Sequence, residues 1–198
     1  MVGKRLTKEK RRQQLLQVAR SIIRTEGVEA LTLGYLAQQA GITKPIAYRH
    51  FIDKEGLLIA IYEEFSDKQK QDLSTSLKQN TGGLDSTIHV FCHACLQFHI
   101  ATGPEVGLVV AALSGTDILQ SFLSACQQEF IEIFKKSIHP FIVLQGREGE
   151  AIILAITGLI ETICVATSKN VVDVETAQRV MKNSTLLILN DYLSHTTA

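Results

Sequence analysis

Lys44, Pro45, Ile46, Tyr48, Arg49 and His50 crowd into seven residues, inside a stretch that carries no acid from Leu33 to Ile52. Cations, an aromatic hydroxyl and small residues on one helix face suit the DNA major groove, where side chains bond base edges and phosphates. A second set of reactive types is His89, Cys92, His93, Cys95 and His99. His89 and His93 are i,i+4 neighbours on a helix, and Cys92 and Cys95 are i,i+3 neighbours. Such a set could bind a metal or sense oxidants. One helix fans its side chains around its axis, however, and free Cys is among the most buried residue types, so core thiols and surface imidazoles are the plainer reading. No G-x-S-x-G, H-E-x-x-H, P-loop or dinucleotide-type glycine pattern occurs, which leaves an enzyme as the minor alternative.

The basic face needs a frame. Leu33, Leu36, Ala37 and Ala40 recur at helical spacing and give a first short helix one apolar side. Gly41 follows where the backbone must leave that helix, and Ile42 plugs the corner. Thr43 is a candidate N-cap for a second helix, with Pro45 in its first turn. Ala47 and Phe51 would turn that helix's back to the first one. Upstream, Thr32 can cap the first helix, whose free N–H groups would then face phosphate. An ordinary helical corner would share these features, but not the acid-free outer face.

Gly41 to Leu58, G-I-T-K-P-I-A-Y-R-H-F-I-D-K-E-G-L-L, resembles the DNA-binding signature of the TetR family. Gly41, Ile42, Thr43, Tyr48, His50, Phe51 and Lys54 supply its pattern in register, and Ala30 to Ala37 fits upstream. The resemblance implies an all-α fold with two domains. Residues 1–56 would form a three-helix DNA-binding domain, and residues 57–198 a larger ligand-binding and dimerisation domain. It implies a homodimeric transcriptional regulator, a repressor released from a palindromic double-stranded operator by a small-molecule inducer, without cofactor or metal. Carried over by position, Thr43, Tyr48, His50 and Lys54 would hold phosphates, while Lys44, Pro45, Ile46 and Arg49 would reach base edges. Some members place a basic residue for base contact near the start of the second helix, where this chain has Gly34. A metal- or thiol-responsive sensor on the same scaffold is the first rival reading. An enzyme or scaffold that merely contains a helix-turn-helix is the second.

Composition agrees with that division. The 198 residues are 45% hydrophobic and include only 3 Pro. Residues 1–56 carry 11 Lys/Arg against 5 Asp/Glu, and residues 57–198 carry 9 against 15. A basic module on an acidic body points to a polyanion partner for the N-terminal part alone. The opening Lys4, Arg5, Lys8, Lys10, Arg11 and Arg12 lead into no apolar secretion segment, so the expected place is the cytoplasm, with reduced thiols. Ala151 to Ser168 is apolar enough to resemble a membrane span. It contains Glu161 and three threonines, and it reads as a helix buried on most sides rather than a membrane segment.

Periodicity places helices at about 7–25, 33–40, 44–51, 54–77, 85–101, 105–113, 117–138, 150–169 and 173–193. Pro104 should stop the fifth, Thr116 or Asp117 should start the seventh, and Gln145 to Gly149 reads as a polar loop. In a TetR-like fold the middle region encloses the inducer. Phe91, Cys95, Phe98, His99, Leu108, Phe122 and Thr162 are the candidate lining, although plain core would use the same apolar types. Ala151, Ala155, Gly158, Thr162 and Ala166 form a stripe of small side chains on the eighth helix. That stripe is the candidate dimer interface, or else a seam against the last helix of the same chain. Ile152, Ile156, Leu159 and Ile163 beside it would face the core.

Overall fold

The computed structural model describes residues 6–103, 105–115 and 117–196. Pro104, Thr116, Lys4 and Arg5, each given a part above, lie outside them. The described residues are overwhelmingly helical and contain no strand. The chain divides into two compact units, residues 1–65 with 104–123, and residues 66–103 with 124–198.

In the first unit, α1 (Lys8–Glu26) is capped by the Thr7 hydroxyl, which accepts from the Lys10 N–H. Its Leu15, Leu16, Ala19, Ile22 and Ile23 are buried. A 3-10 turn (Val28–Ala30), which the periodicity did not predict, leads to α2 (Leu33–Gln39) and α3 (Lys44–Phe51). The first part of α4 (Lys54–Gln79) adds Leu57, Leu58, Ile61 and Phe65 to the core. Burying each such side chain favours folding by about 1.5–3 kcal/mol. Helix α6 (Glu105–Leu113) also belongs to this unit and packs on α1. It carries Glu105, an acid only 3% exposed, which pairs with the Arg24 guanidinium and lies 3.9 Å from Arg20 Nε. Arg20 in turn bonds Glu64 at 3.1 Å. A carboxylate is buried there because cations compensate it.

In the second unit, α5 (Leu84–Thr102) packs on both α8 (Gly146–Ser168) and α9 (Val174–Thr196). The latter part of α7 (Asp117–Ile138) closes the core with Ile131, Phe134 and Ile138. Phe91 is fully buried and meets Phe134 edge-on, with ring centroids 4.9 Å apart.

Two expectations about α8 need correction. The helix starts at Gly146, not near Glu150, so most of the expected loop is its first turn. Gly149, expected at the end of that polar loop, is buried in the helix with Leu144 against it; an added Cβ there would stand 2.6 Å from the Leu144 carbonyl carbon. Nor is α8 buried on most sides: 33% of its apolar window is covered. The covered stripe is Ile153, Ile156, Thr157, Ile160, Cys164 and Thr167, while Ile152, Leu159 and Ile163 are half-buried at its margins. By length and apolarity this helix could cross a membrane, but its covered stripe is built into the core with α5 and α9.

Candidate nucleic-acid interface

Helix α2 is capped by Thr32, whose hydroxyl accepts from the Tyr35 N–H at 3.1 Å. Its other end closes in two reversed bonds. The Ile42 N–H donates to the Ala37 carbonyl at 2.9 Å, and the Gly41 N–H to Gln38 at 3.2 Å. That pattern requires a left-handed residue between, and Gly41 takes it at φ 64° without a Cβ clash. The chain therefore leaves α2 sharply, and α3 begins three residues later with Thr43 as its N-cap residue, though the Thr43 hydroxyl makes no cap bond. Ala47 and Phe51 are buried against the rest of the unit.

This fixes what α3 shows to solvent. Thr43, Lys44, Pro45, Tyr48 and Arg49 are exposed, and Ile46 and His50 are half-buried. Lys44 does not extend freely: its Cε lies 3.4 Å from where a Cβ on Gly34 would stand. The absence of a side chain at Gly34 thus opens the place over α2 that the Lys44 stem occupies. Lys54 is partly exposed and sits 3.8 Å from Glu29. His50 is held below its ordinary pKa, first by burial and then by the cations Arg12, Lys8, Arg49 and Arg11. The structure thus gathers all nine expected DNA-contact residues into the first unit. It also brings in the start of α1, which the sequence showed only as a basic arm. The Arg12 guanidinium donates to the His50 carbonyl at 3.3 Å and lies over the Phe51 ring.

The turn after α3 is tight. Ile52 has φ 64° and ψ −59°, and the Asp53 N–H bonds the Phe51 carbonyl across it at 2.6 Å. This is a γ-turn of the rarer, strained hand, centred on a β-branched residue. Gly56 follows because the Phe51 carbonyl occupies the space its Cβ would need. The Asp53 carboxylate accepts from the Gly56 N–H at 2.7 Å and so opens α4.

The other candidates separate. Phe91, Cys95, Phe98, His99 and Thr162 belong to the second unit, and Leu108 and Phe122 to the first. Phe91, Cys95, Phe98 and His99 are buried, whereas Leu108 is 39% exposed and Thr162 exposed. His99 Nε2 lies 3.3 Å from Glu161. His89 and His93 are exposed with stacked rings, while Cys92 and Cys95 face the core. Among the described residues, no three His, Cys, Asp or Glu side chains converge as metal ligands would. Burial pushes the Cys92 thiol up to about 12 and raises Cys95 and Cys164 likewise. Along α8, Ala151, Ala155, Gly158 and Thr162 are exposed and Ala166 is half-buried. A Cβ on Gly158 would meet nothing within 4 Å, so the stripe is no seam against α9 of the same chain.

Residues 15–61, which span α1 to the start of α4, match the family described as bacterial regulatory proteins, tetR family. The chain is 32% identical over 79 residues to the HTH-type transcriptional activator FasR of Mycolicibacterium smegmatis, covering 40% of this chain and 36% of that protein. It is 33% identical over 85 residues to the nucleoid occlusion factor SlmA of Mannheimia succiniciproducens, covering 42% and 39%. The matched stretch thus spans well under half the length of these curated relatives. The fold extends further: a TetR-family transcriptional regulator from Streptomyces coelicolor superposes with a TM-score of 0.71 at 17% identity, over 92% of this chain and 96% of that one. Residues 15–61 thus match the tetR family of bacterial regulatory proteins, and along nearly its whole length the chain shares the all-helical fold of a TetR-family structure.

Proposed function

We propose that this protein is a homodimeric, cytoplasmic transcriptional regulator that binds a palindromic operator and is released from it by a small-molecule inducer. The observation that carries the reading is the α3 face: an acid-free helix anchored by Ala47 and Phe51, with Lys44, Pro45, Tyr48 and Arg49 turned outward. Arg49 and Lys44, with Pro45 and Ile46, read base edges, since a guanidinium can bond guanine O6 and N7 together. Thr43, Tyr48, His50 and Lys54 hold phosphates, and the N-terminal end of α2 at Thr32 adds a backbone contact. The working division is DNA binding in residues 1–56 and ligand binding with dimerisation in 57–198.

One short recognition helix buries little surface, so specific binding needs two half-sites about 34–36 Å or a multiple apart. A two-fold dimer supplies them. The uncovered face of α8 is the candidate seam, with Ala151, Ala155, Gly158, Thr162 and Ala166 and, beside them, the 55% exposed Leu154. Leu187 of α9, 70% exposed, is a further apolar side chain free to join it. The inducer belongs in the ligand-binding part, where Phe98 and His99 offer an apolar wall and a polar group.

Selection of binding sites from random duplex DNA, followed by footprinting, tests the reading. The expected result is a two-fold symmetric site with two protected half-sites. An asymmetric site, or no enriched sequence, would overturn it. Direction of control is a separate matter, since one relative is named an activator. Transcription from a promoter carrying the selected site, with and without the protein, distinguishes repression from activation. Coupling to an inducer has its own requirement. By linkage, a ligand that lowers DNA affinity must lose affinity by the same factor when operator is present. A candidate that binds tightly and leaves operator affinity unchanged is not the inducer.

A further inference from the structure

We infer that the first turn of α1 is a second DNA-contact element, in which Lys8 and Arg11 clamp a backbone phosphate that flanks the bases read by α3. The inference rests on the DNA-binding reading above and adds residues to it. Leu6, Lys8 and Arg11 from the start of α1, and Ile46, Arg49 and His50 from α3, line one open cleft of about 400 Å³. The cleft brings three full cations and an imidazole together with no carboxylate in its lining. None of the ion pairs formed by the described residues engages Lys8, Arg11 or Arg49. Arg11 donates only to the neutral Gln14, at 2.6 Å.

Compare the Arg20, Arg24, Glu64 and Glu105 set in the same unit, where cations meet acids. Cations that serve packing are compensated; those of the cleft are not. The cleft is also rigidly placed. Arg12, one residue on, ties α1 to α3 through the His50 carbonyl and the Phe51 ring. Burial first, and then the cations Arg12, Lys8, Arg49 and Arg11, hold the His50 pKa down. A concave, uncompensated basic site at the edge of a recognition helix fits a sugar-phosphate backbone, whose anionic oxygens recur at fixed spacing along the duplex. A free phosphate ion would lack the other contacts that α3 makes. DNA backbone is therefore the occupant.

The test uses the full chain and a labelled duplex carrying the site that wild-type protein selects, beside an unrelated duplex, over a range of salt. The variant is Lys8→Gln with Arg11→Gln; Lys8 is exposed and Arg11 half-buried, and neither belongs to the core. Its affinity should fall by a similar factor on both duplexes. The slope of log affinity against log salt should flatten by about 0.9, the contribution of one neutralised phosphate. Arg11→Lys should keep most of the slope. Neutral methylphosphonates placed one at a time should reveal, in wild type, a sensitive phosphate outside the bases α3 reads. The double variant should be indifferent to charge at that phosphate alone. An unchanged slope, an unchanged phosphate map, or an altered preference at a base overturns the clamp while leaving the DNA reading in place. A wild-type protein that binds no duplex removes the DNA reading itself, and the clamp with it.

Discussion

Arg49 and Lys54 are both basic, but the proposed DNA-binding reading gives them different work, a base edge for Arg49 and a phosphate for Lys54. Arg49 is exposed on α3 without an acidic partner, whereas Lys54 opens α4 beside Glu29. Arg49→Ala should therefore cost about 1–3 kcal/mol of binding and relax preference at one base position. Lys54→Ala should weaken all sequences alike and flatten the salt slope by about one. Site selection repeated with each variant checks the pair, and equal loss of preference in both would reject the assignment. The thiols make a second residue-scale prediction. Burial pushes the Cys92 thiol up to about 12, so the reactive thiolate is scarce near neutral pH. Iodoacetamide should leave Cys92, Cys95 and Cys164 unmodified in native protein and label them once urea unfolds it. Rapid native labelling of any of the three, read by peptide mass, would revive the thiol-sensor reading.

At the scale of elements, the turn between α3 and α4 stores strain that the sequence does not advertise. Ile52 is 79% exposed, so its side chain contributes almost no packing, yet it holds φ 64°. Such a conformation costs a β-branched residue about 1–3 kcal/mol, and glycine would avoid it at a smaller entropic cost of about 0.5–1 kcal/mol. Ile52→Gly should stabilise the protein by about 1 kcal/mol, seen as a higher urea midpoint with an unchanged m-value. A lower midpoint would mean that Ile52 makes contacts the strain argument omits. Gly56→Ala should do the opposite, by about 1–3 kcal/mol, because the Phe51 carbonyl occupies the Cβ position.

At the scale of the whole molecule, the open question is assembly. Gly158 lies on the uncovered face of α8 with empty space where its Cβ would be. Gly158→Glu should thus fold normally, by circular dichroism, and sediment as a monomer that has lost operator binding. A variant that stays dimeric would move the interface elsewhere, and one that unfolds would place Gly158 in the subunit core.

The sequence by itself determined the helical fold, most helix boundaries and the helix-turn-helix, because those depend on local features: period 3.6, the cap at Thr32, and Gly41 at a left-handed corner. It could place Lys44 and Arg49 on the outer face of α3 because a short helix with two buried residues leaves little choice of outer face. Tertiary structure alone decided the rest. Gly149 looks like part of a polar loop until Leu144 is seen against it. Glu105 looks like an ordinary first-turn acid until Arg20 and Arg24, some eighty residues earlier, are found beside it. The basic start of α1 looks like a loose arm until Arg12 is seen tying it to α3. In each case the deciding partner is distant in the chain or is a backbone atom, and neither leaves a trace in local residue spacing.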